Sequence, residues 1–270
     1  MTSSNFRNAR YKTSLMLVVF CFFITSNVFA EVKTKTVTYK DGDVNLIGEL
    51  AWDDGKSEKR PGVLVIDEWW GLTEWGKTQA RRLAAAGYVA FAADMYGDGK
   101  TTNDPKTAGN WMKEVTGDKA RWLRRTQLGL DILKANTLVD AESLAAMGSS
   151  FGGATVIQMA YAGQDIKAAV CIASAQVAPP PKSVTTVKPR LMVFFGNDDQ
   201  SATTDKIAAF RDGFAGVDAD WGIIIYSDTR HSFTNPAADT HGIKNLAYNE
   251  KSARRAWAAI LSLFEEAFKK

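Results

Sequence analysis

The chain has 270 residues, 46% of them hydrophobic, and its 33 basic and 30 acidic residues give a formal net charge of +3. Three of the basic residues and none of the acidic ones lie within the first 30 positions, so residues 31–270 carry 30 charges of each sign. This balance, without a long basic run, excludes nucleic acid and anionic membranes as expected partners and favours a small neutral substrate. About 240 residues of this composition fit one α/β domain around a single core.

The first 30 residues have the pattern of a secretory signal peptide. Basic residues precede the apolar run 15–24, and Val28-Phe29-Ala30 matches a cleavage site, which predicts Glu31 as the start of the mature chain. The alternative is an uncleaved membrane anchor, but this apolar run is short beside the roughly 20 residues that a membrane-spanning helix needs. We therefore expect a periplasmic or secreted protein, free of the membrane after cleavage, in which residues 31–270 form one domain.

The predicted domain begins with an antiparallel hairpin. Residues 33–39 and 44–52 are extended segments joined by Asp41-Gly42-Asp43, whose Asp-Gly step is typical of a tight hairpin turn. The apolar run 61–66 then predicts a strand buried on both faces, and it ends at Asp67-Glu68-Trp69-Trp70-Gly71. Charged and aromatic residues at the carboxyl end of a central strand lie where open α/β sheets bind ligands.

The rest of the chain alternates between helical and extended patterns. Residues 73–86 predict a helix, residues 88–93 predict a strand, and a helical stretch begins after Asp104-Pro105 and continues past Gly117. This alternation predicts an α/β fold with a mostly parallel doubly wound sheet flanked by helices, preceded by the antiparallel hairpin. The further predicted elements are strands at 144–147, 167–173, 190–195 and 221–226, and helices at 154–160, 204–214 and from 245 to the end.

The motif that points to chemistry is Gly148-Ser149-Ser150-Phe151-Gly152, a Gly-x-Ser-x-Gly pattern. It lies between a predicted strand and a predicted helix, which is the context of a nucleophile elbow. So sharp a turn brings backbone segments close together at the residues two before and two after the serine, where Gly148 and Gly152 have no Cβ. The pattern therefore predicts Ser150 as a nucleophile.

A serine nucleophile needs a general base, and the chain has only two histidines, His231 and His241. His231 follows the predicted strand at 221–226 after a short loop, from which it can reach the carboxyl edge of the sheet. His241 is expected in a solvated surface loop. We therefore assign His231 as the base that takes the Ser150 proton.

The acid of such a triad lies between the serine and the histidine in the chain, and both Asp198 and Asp199 qualify. The strand-end pattern Gly-x-x-Asp, which starts at Gly196, favours Asp199. This carboxylate would hold His231 in one tautomer and stabilise its charged form.

An oxyanion hole needs two backbone N–H groups. In this type of fold one comes from the residue after the nucleophile, which is Phe151. The other comes from the loop after an early central strand, where Trp69 is the candidate. This chemistry needs no metal and no organic cofactor, and we expect none.

Taken together, five segments of the chain resemble the dienelactone hydrolase family of α/β-hydrolases, and the resemblance extends from Pro61 to the terminal helix. It implies an α/β-hydrolase fold and the triad Ser150, Asp199 and His231, with Glu68 beside the nucleophile. The segments are Ile66-Asp67-Glu68-Trp69-Trp70-Gly71, Ala93-Asp94-Met95-Tyr96-Gly97, Gly148-Ser149-Ser150-Phe151-Gly152-Gly153, Gly196-Asn197-Asp198-Asp199 and His231-Ser232-Phe233-Thr234-Asn235-Pro236.

This chain departs from the family pattern in two ways. In the namesake enzyme the nucleophile is a cysteine, held as a thiolate through a carboxylate at the position of Glu68, whereas a serine cannot be kept ionised at neutral pH. Ser150 then depends on direct proton transfer to His231, and Glu68 has two open roles, a hydrogen bond to the serine or a place in the pocket wall. The namesake binds the carboxylate of its lactone with arginines. The matching positions are Asp98 and Asn235, which argues against dienelactone itself as the substrate.

Trp69, Trp70 and Tyr96, with Trp111 as a further candidate, lie on or near loops at the same edge of the sheet. They predict an aromatic-lined pocket for a neutral ester, although such rings also serve to cap a core. The expected function is that of a serine hydrolase, which cleaves a carboxylic ester or lactone through an acyl-enzyme. Two alternatives remain, acyl transfer on the same triad and a non-catalytic binding protein that has kept the fold. The sequence leaves the oligomeric state open.

Overall fold

The computed structural model describes residue 1, residues 31–174 and residues 177–269. The predicted signal peptide, apart from Met1, lies outside the described residues, so its cleavage stays a prediction. In chain order the helices and strands are β1 (Val32–Asp41), β2 (Val44–Asp53), β3 (Arg60–Ile66), α1 (Glu74–Ala85), β4 (Val89–Ala93), α2 (Pro105–Thr116), α3 (Lys119–Lys134), β5 (Val139–Ser149), α4 (Phe151–Tyr161), β6 (Ala168–Ile172), β7 (Thr186–Gly196), α5 (Thr204–Asp212), β8 (Asp218–Tyr226), a short 3-10 helix (Ala238–His241) and α6 (Glu250–Phe268).

One eight-stranded sheet organises the described residues, in the order β1-β2-β4-β3-β5-β6-β7-β8. β1 and β2 form an antiparallel hairpin, β2 pairs antiparallel with β4, and the pairs from β4 across to β8 are parallel. These findings confirm the predicted mostly parallel sheet with its N-terminal hairpin. The chain places β4 on one side of β3 and then returns to place β5 on the other side. This reversal opens a crevice at the carboxyl ends of β3 and β5.

Helices cover both faces of the sheet. On one face, Leu83 of α1 and Phe264 of α6 pack with apolar side chains of β3, β4 and β6. On the other face, Leu130 of α3, Val156 of α4 and Phe210 of α5 belong to a second apolar cluster. Because the central strands are covered on both sides, their sequences are continuous apolar runs instead of alternating ones.

Residues 105–134 form two helices, which corrects the predicted continuous stretch. α2 ends at Thr116, and the Gly117 N–H bonds back to Lys113 O at 2.9 Å. Asp118 then has an extended backbone and caps α3, since its carboxylate accepts the Arg121 N–H at 3.0 Å. An aspartate that caps the next helix satisfies one of its free N–H groups, which favours a break at this point over continuation.

The terminal helix begins at Glu250, which corrects the predicted start at Asn245. Asn249 caps it by accepting the Ser252 N–H at 3.0 Å. Residues 245–247 pair instead with the backbone of His231, whose N–H donates to Asn245 O at 3.1 Å and whose carbonyl accepts the Ala247 N–H at 3.1 Å. These long-range hydrogen bonds replace the local ones that a helix would make there.

Within the part of the chain that the structure describes, no helix has both the length and the apolar composition needed to cross a membrane.

Candidate active site

Ser150 occupies a sharp turn between β5 and α4. Its backbone dihedral angles, φ 53° and ψ −114°, are a strained combination for a residue with a side chain. Two glycines leave room for the turn. A Cβ on Gly148 would lie 2.3 Å from the carbonyl carbon of Gly152, and a Cβ on Gly152 would lie 2.1 Å from the carbonyl oxygen of Ile66. The glycines therefore let the start of α4 pack against the end of β3 beside the nucleophile.

His231 reaches Ser150 from residues 227–237, the histidine loop, which follows β8. Its Nε2 lies 2.8 Å from the Ser150 Oγ. The loop passes close to the end of β7, where the Asp198 N–H donates to Thr229 O at 2.9 Å and a Cβ on Gly196 would lie 2.2 Å from the same oxygen. The glycine of the Gly-x-x-Asp pattern is therefore needed for the approach of the histidine loop.

Asp199 extends this chain of contacts, because its Oδ2 lies 2.7 Å from the His231 Nδ1 and its side chain is buried. Burial by itself raises the pKa of this carboxyl. Hydrogen bonds from His231, Ser201 and Asn245, together with the attraction of a charged His231, outweigh burial and lower the pKa of Asp199 to about 2. Asp198 is exposed and accepts a hydrogen bond from the Asn197 side chain at 3.2 Å. The structure thus brings Asp199, and not Asp198, to the histidine.

Two residues that the sequence analysis missed hold the other oxygen of Asp199. Ser201 donates its backbone N–H to Oδ1 at 2.9 Å, and its hydroxyl bonds the same oxygen. Asn245 donates its side-chain amide to Oδ1 at 3.0 Å and accepts the Gln200 N–H at 2.9 Å. An aspartate that bonds the backbone two residues later is typical of an Asx turn, so the turn pattern could have indicated Ser201. Asn245 belongs to no such motif.

A cavity of about 270 Å³ opens beside Ser150. Its lining is mostly apolar, and His231 is the only titratable side chain in it among the described residues. The lining therefore has no fixed charge with which to bind or repel a charged substrate. The residues that form it are Trp69, Met112, Ser150, Phe151, Ser201, His231, Ile243, Asn245 and Leu246.

Trp70 and Tyr96, which the sequence analysis assigned to the pocket, lie behind this lining. Trp70 is 1% exposed, and its indole stacks on the His241 ring with centroids 4.0 Å apart. Tyr96 is 4% exposed and packs on Phe151 with ring centroids 5.5 Å apart. The prediction that these two rings line the pocket is therefore wrong. Both are buried in the core behind the cavity wall. His241 is also not the expected solvated histidine, because the stack half-buries its ring and burial lowers its pKa.

Glu68 follows β3 and is buried, with 2% of its surface exposed. Its carboxylate accepts hydrogen bonds from the Ser149 hydroxyl at 3.0 Å and from the Asn235 amide at 3.1 Å. It therefore contacts the residue before the nucleophile instead of Ser150, and it does not line the cavity, so neither of its two open roles applies. Burial, followed by the negative charge of Glu68, raises the pKa of the neighbouring Asp67 to about 7.

The predicted oxyanion-hole residues both border the cavity. Phe151 is the first residue of α4, so its N–H is one of the four at a helix start that have no partner within the helix. Trp69 is another residue of the same lining. The role of the two N–H groups as oxyanion donors stays a prediction.

Comparison with known proteins identifies the family to which the chain belongs. The model of the family described as "Dienelactone hydrolase family" matches residues 49–268. The chain belongs to the dienelactone hydrolase family. This confirms the resemblance that the sequence motifs indicated.

The alignments with three relatives cover most of this chain. A protein of Yersinia pestis named as a candidate carboxymethylenebutenolidase is 26% identical over 248 residues, which are 86% of this chain and 87% of that protein. A dienelactone hydrolase-like promiscuous phosphotriesterase from metagenomic libraries is 37% identical, with a TM-score of 0.84 over 88% of this chain and 99% of its own. A ferulic acid esterase from Streptomyces cinnamoneus, 14% identical, shares the fold, with a TM-score of 0.68 over 89% of this chain and 91% of its own. These findings confirm the predicted α/β-hydrolase fold and the enzyme class, a carboxylic ester hydrolase.

In this member of the family the two positions that match the arginines of the namesake enzyme carry no positive charge. Asp98 is exposed in a turn, where its φ is 57° and its N–H donates to Asn45 O at 2.7 Å. Asn235 is buried, and its side-chain amide is engaged with Glu68. Residues 31–174 and 177–269 also contain no group of three or more side chains able to hold a metal ion.

Proposed function

We propose that this protein cleaves a carboxylic ester or lactone through an acyl-enzyme formed on Ser150. The observation that carries the proposal is a chain of two contacts, 2.8 Å from the Ser150 Oγ to the His231 Nε2 and 2.7 Å from the His231 Nδ1 to the Asp199 Oδ2. A serine hydroxyl is a weak nucleophile at neutral pH, so it needs a base within hydrogen-bond reach and a third group that orients the base. These three side chains meet both requirements.

In the proposed reaction the Ser150 Oγ attacks the carbonyl carbon while its proton passes to the His231 Nε2. Asp199, ionised because of its low pKa, keeps Nδ1 protonated and stabilises the imidazolium. The N–H groups of Phe151 and Trp69 stabilise the oxyanion of the tetrahedral intermediate. Collapse of this intermediate breaks the bond to the alcohol oxygen, which takes the proton from Nε2; the alcohol leaves from an ester and stays attached to the acyl chain of a lactone. A water molecule then attacks the acyl-enzyme while Nε2 takes its proton, and Nε2 returns that proton to the Ser150 Oγ as the acid is released.

Covalent labelling tests the nucleophile. We expect a fluorophosphonate probe to form a single adduct per chain, located on Ser150 by peptide mass spectrometry, because the probe reacts with an activated serine hydroxyl. A p-nitrophenyl ester present in excess should slow the labelling. An adduct on a different residue of the active enzyme would contradict the assignment. A folded protein that neither reacts with the probe nor hydrolyses any ester would indicate a non-catalytic binding protein.

Acyl transfer to an acceptor other than water would use the same acyl-enzyme. Product analysis with and without added alcohols separates the two reactions. We expect the free acid as the main product. A new ester as the main product at low alcohol concentration would favour a transferase.

The neutral cavity predicts a preference for uncharged acyl groups. We expect kcat/KM for p-nitrophenyl heptanoate to exceed that for the mono-p-nitrophenyl ester of adipic acid, whose chain of similar length ends in a carboxylate, by about 30-fold or more. The reason is that a carboxylate buried without a partner costs about 2 kcal/mol or more. Rates of alkaline hydrolysis of the two esters correct for their chemical reactivity. Equal corrected values would show that the acyl chain does not enter the apolar cavity.

We also propose that the protein is exported and that residues 1–30 are removed, which would make it periplasmic or secreted. The support is the pattern of basic residues, apolar run and cleavage site in the sequence. Sequencing of the N-terminus of the protein isolated from its own cells tests this, with Glu31 as the expected first residue and Met1 as the contradicting one.

A further inference from the structure

Glu68 joins two of the segments that carry the proposed triad. Its Oε1 accepts the Ser149 hydroxyl at 3.0 Å, and its Oε2 accepts the Asn235 side-chain amide at 3.1 Å. Ser149 directly precedes the nucleophile, and Asn235 lies four residues after His231. One side chain at the end of β3 therefore connects the nucleophile elbow to the histidine loop.

Two of the three residues in this connection, Glu68 and Asn235, are held by further hydrogen bonds. The backbone N–H of Glu68 donates to the Asp67 Oδ1 at 2.7 Å, and the other oxygen of Asp67 accepts the Thr73 N–H at 2.7 Å, at the start of α1. The Oδ1 of Asn235 accepts the Ala237 N–H at 2.9 Å, so its Nδ2 is the group left to face Glu68. Because Glu68 and Asn235 are held in this way, the hydrogen bonds of Glu68 fix the position of the histidine loop relative to the nucleophile elbow.

The polarity of the two hydrogen bonds explains why a carboxylate is needed. Both donors, the Ser149 hydroxyl and the Asn235 amide, point at Glu68, and a carboxylate offers an acceptor to each. A carboxamide at this position has one acceptor and one donor group. It can accept only one of the two hydrogen bonds: it either presents an NH₂ group to the NH₂ group of Asn235, or accepts from Asn235 and leaves the buried Ser149 hydroxyl without this acceptor.

We propose that Glu68 is a positioning residue that holds the nucleophile elbow and the histidine loop at the separation that proton transfer from Ser150 to His231 requires. The inference rests on the proposed function, because it gives Glu68 a role only in aligning the triad. Proton transfer is sensitive to such alignment, since a displacement of about 1 Å can lower a rate by about 100-fold.

Exchanging the carboxylate of Glu68 and the carboxamide of Asn235 tests the inference. Glu68→Gln should lower kcat for a neutral ester by about 10- to 100-fold while KM changes by less than about threefold, because chemistry is impaired and the cavity is not. Asn235→Asp should have a similar effect, since two carboxylates would then face each other. The double variant Glu68→Gln/Asn235→Asp reverses the donor and the acceptor and keeps the total charge. We expect it to recover kcat to within about fivefold of wild type.

Rates of fluorophosphonate labelling at Ser150 should follow the same order, slow in each single variant and restored in the double variant. Thermal unfolding of each variant establishes that it is folded. Overturning results are wild-type kcat in a single variant, or a folded double variant that is as impaired as the single ones. A wild-type enzyme without labelling at Ser150 would instead refute the proposed function, so the two failures are distinguishable.

Ser149→Ala is a second test in case the double variant does not fold. It removes the hydroxyl that donates a hydrogen bond to Glu68 and leaves the hydrogen bond from Asn235 to Glu68 in place. We expect kcat to fall by about fivefold or more with KM nearly unchanged, because the elbow loses one of its supports. An unchanged kcat would contradict the inference.

Discussion

Replacing Asp199 with asparagine is expected to lower kcat/KM for a neutral ester by about 10⁴-fold. An amide at this position can present its NH₂ group to the histidine and favour the tautomer that cannot accept the serine proton. Replacing Ser150 with alanine should lower kcat by about 10⁶-fold, because the acyl-enzyme can no longer form. Initial rates of p-nitrophenyl ester hydrolysis measure both effects.

Asp198→Asn is the matched control for Asp199→Asn. Asp198 is the neighbouring residue of the same type, but its side chain is exposed and bonds to Asn197. We expect the kcat/KM of Asp198→Asn to stay within about twofold of wild type, as for a surface substitution.

Adding Asp199→Asn to Ser150→Ala should lower kcat little further than Ser150→Ala alone, because the residues act as a unit. An Asp198→Asn variant that is as impaired as Asp199→Asn would refute the assignment of the acid.

Replacing Gly152 with alanine is expected to have the largest effect on stability. The added Cβ would lie 2.1 Å from the Ile66 carbonyl oxygen and 2.6 Å from that of Asp67, and both are backbone atoms at the end of β3. A side-chain neighbour could rotate away, but these atoms can move only if β3 or α4 shifts. We expect the free energy of unfolding to fall by about 3 kcal/mol or more, or no folded protein at all. Urea unfolding followed by tryptophan fluorescence measures the change.

Gly109→Ala serves as the control for this substitution. Gly109 also lies in a helix, α2, but an added Cβ would meet only the Trp69 ring, at an ordinary contact distance of 3.7 Å. Alanine is the better helix former by about 1 kcal/mol, so we expect unchanged or slightly higher stability. A Gly152→Ala variant with the urea midpoint of wild type would contradict the close packing of α4 against β3.

Much of the fold follows from local patterns. The apolar run at 61–66 predicted β3 because a strand that is covered on both faces needs apolar side chains on both. Gly148 and Gly152 marked the elbow because this turn has no space for a Cβ at either position. With only two histidines in the chain, the search for a base began with two candidates.

Apart from the break between α2 and α3, which the local Asp118 cap explains, the errors occurred where distant segments meet. Residues 245–247 have helical composition, yet they pair with His231, a partner that lies beyond the reach of any local pattern. Asn245 was missed as a support of Asp199 for the same reason, since the two residues are 46 positions apart. The predicted position of Trp70 and Tyr96 at the carboxyl edge of the sheet is correct, but both rings lie in the core behind the cavity lining instead of facing the cavity. Which way a loop side chain points depends on what packs against it.

The sequence by itself determined the parallel α/β architecture, the family, and Ser150, Asp199 and His231 as the residues to examine. The architecture and the candidate residues follow from apolar periodicity, glycines at fixed spacing and the small number of histidines, and the family follows from the resemblance of five segments. Each of these signals is local in the chain. Only the tertiary structure decided which residues line the cavity and what Glu68 contacts. The hydrogen bonds of Glu68 span 81 and 167 residues, so they exist only because parallel strands bring their carboxyl ends to one edge of the sheet.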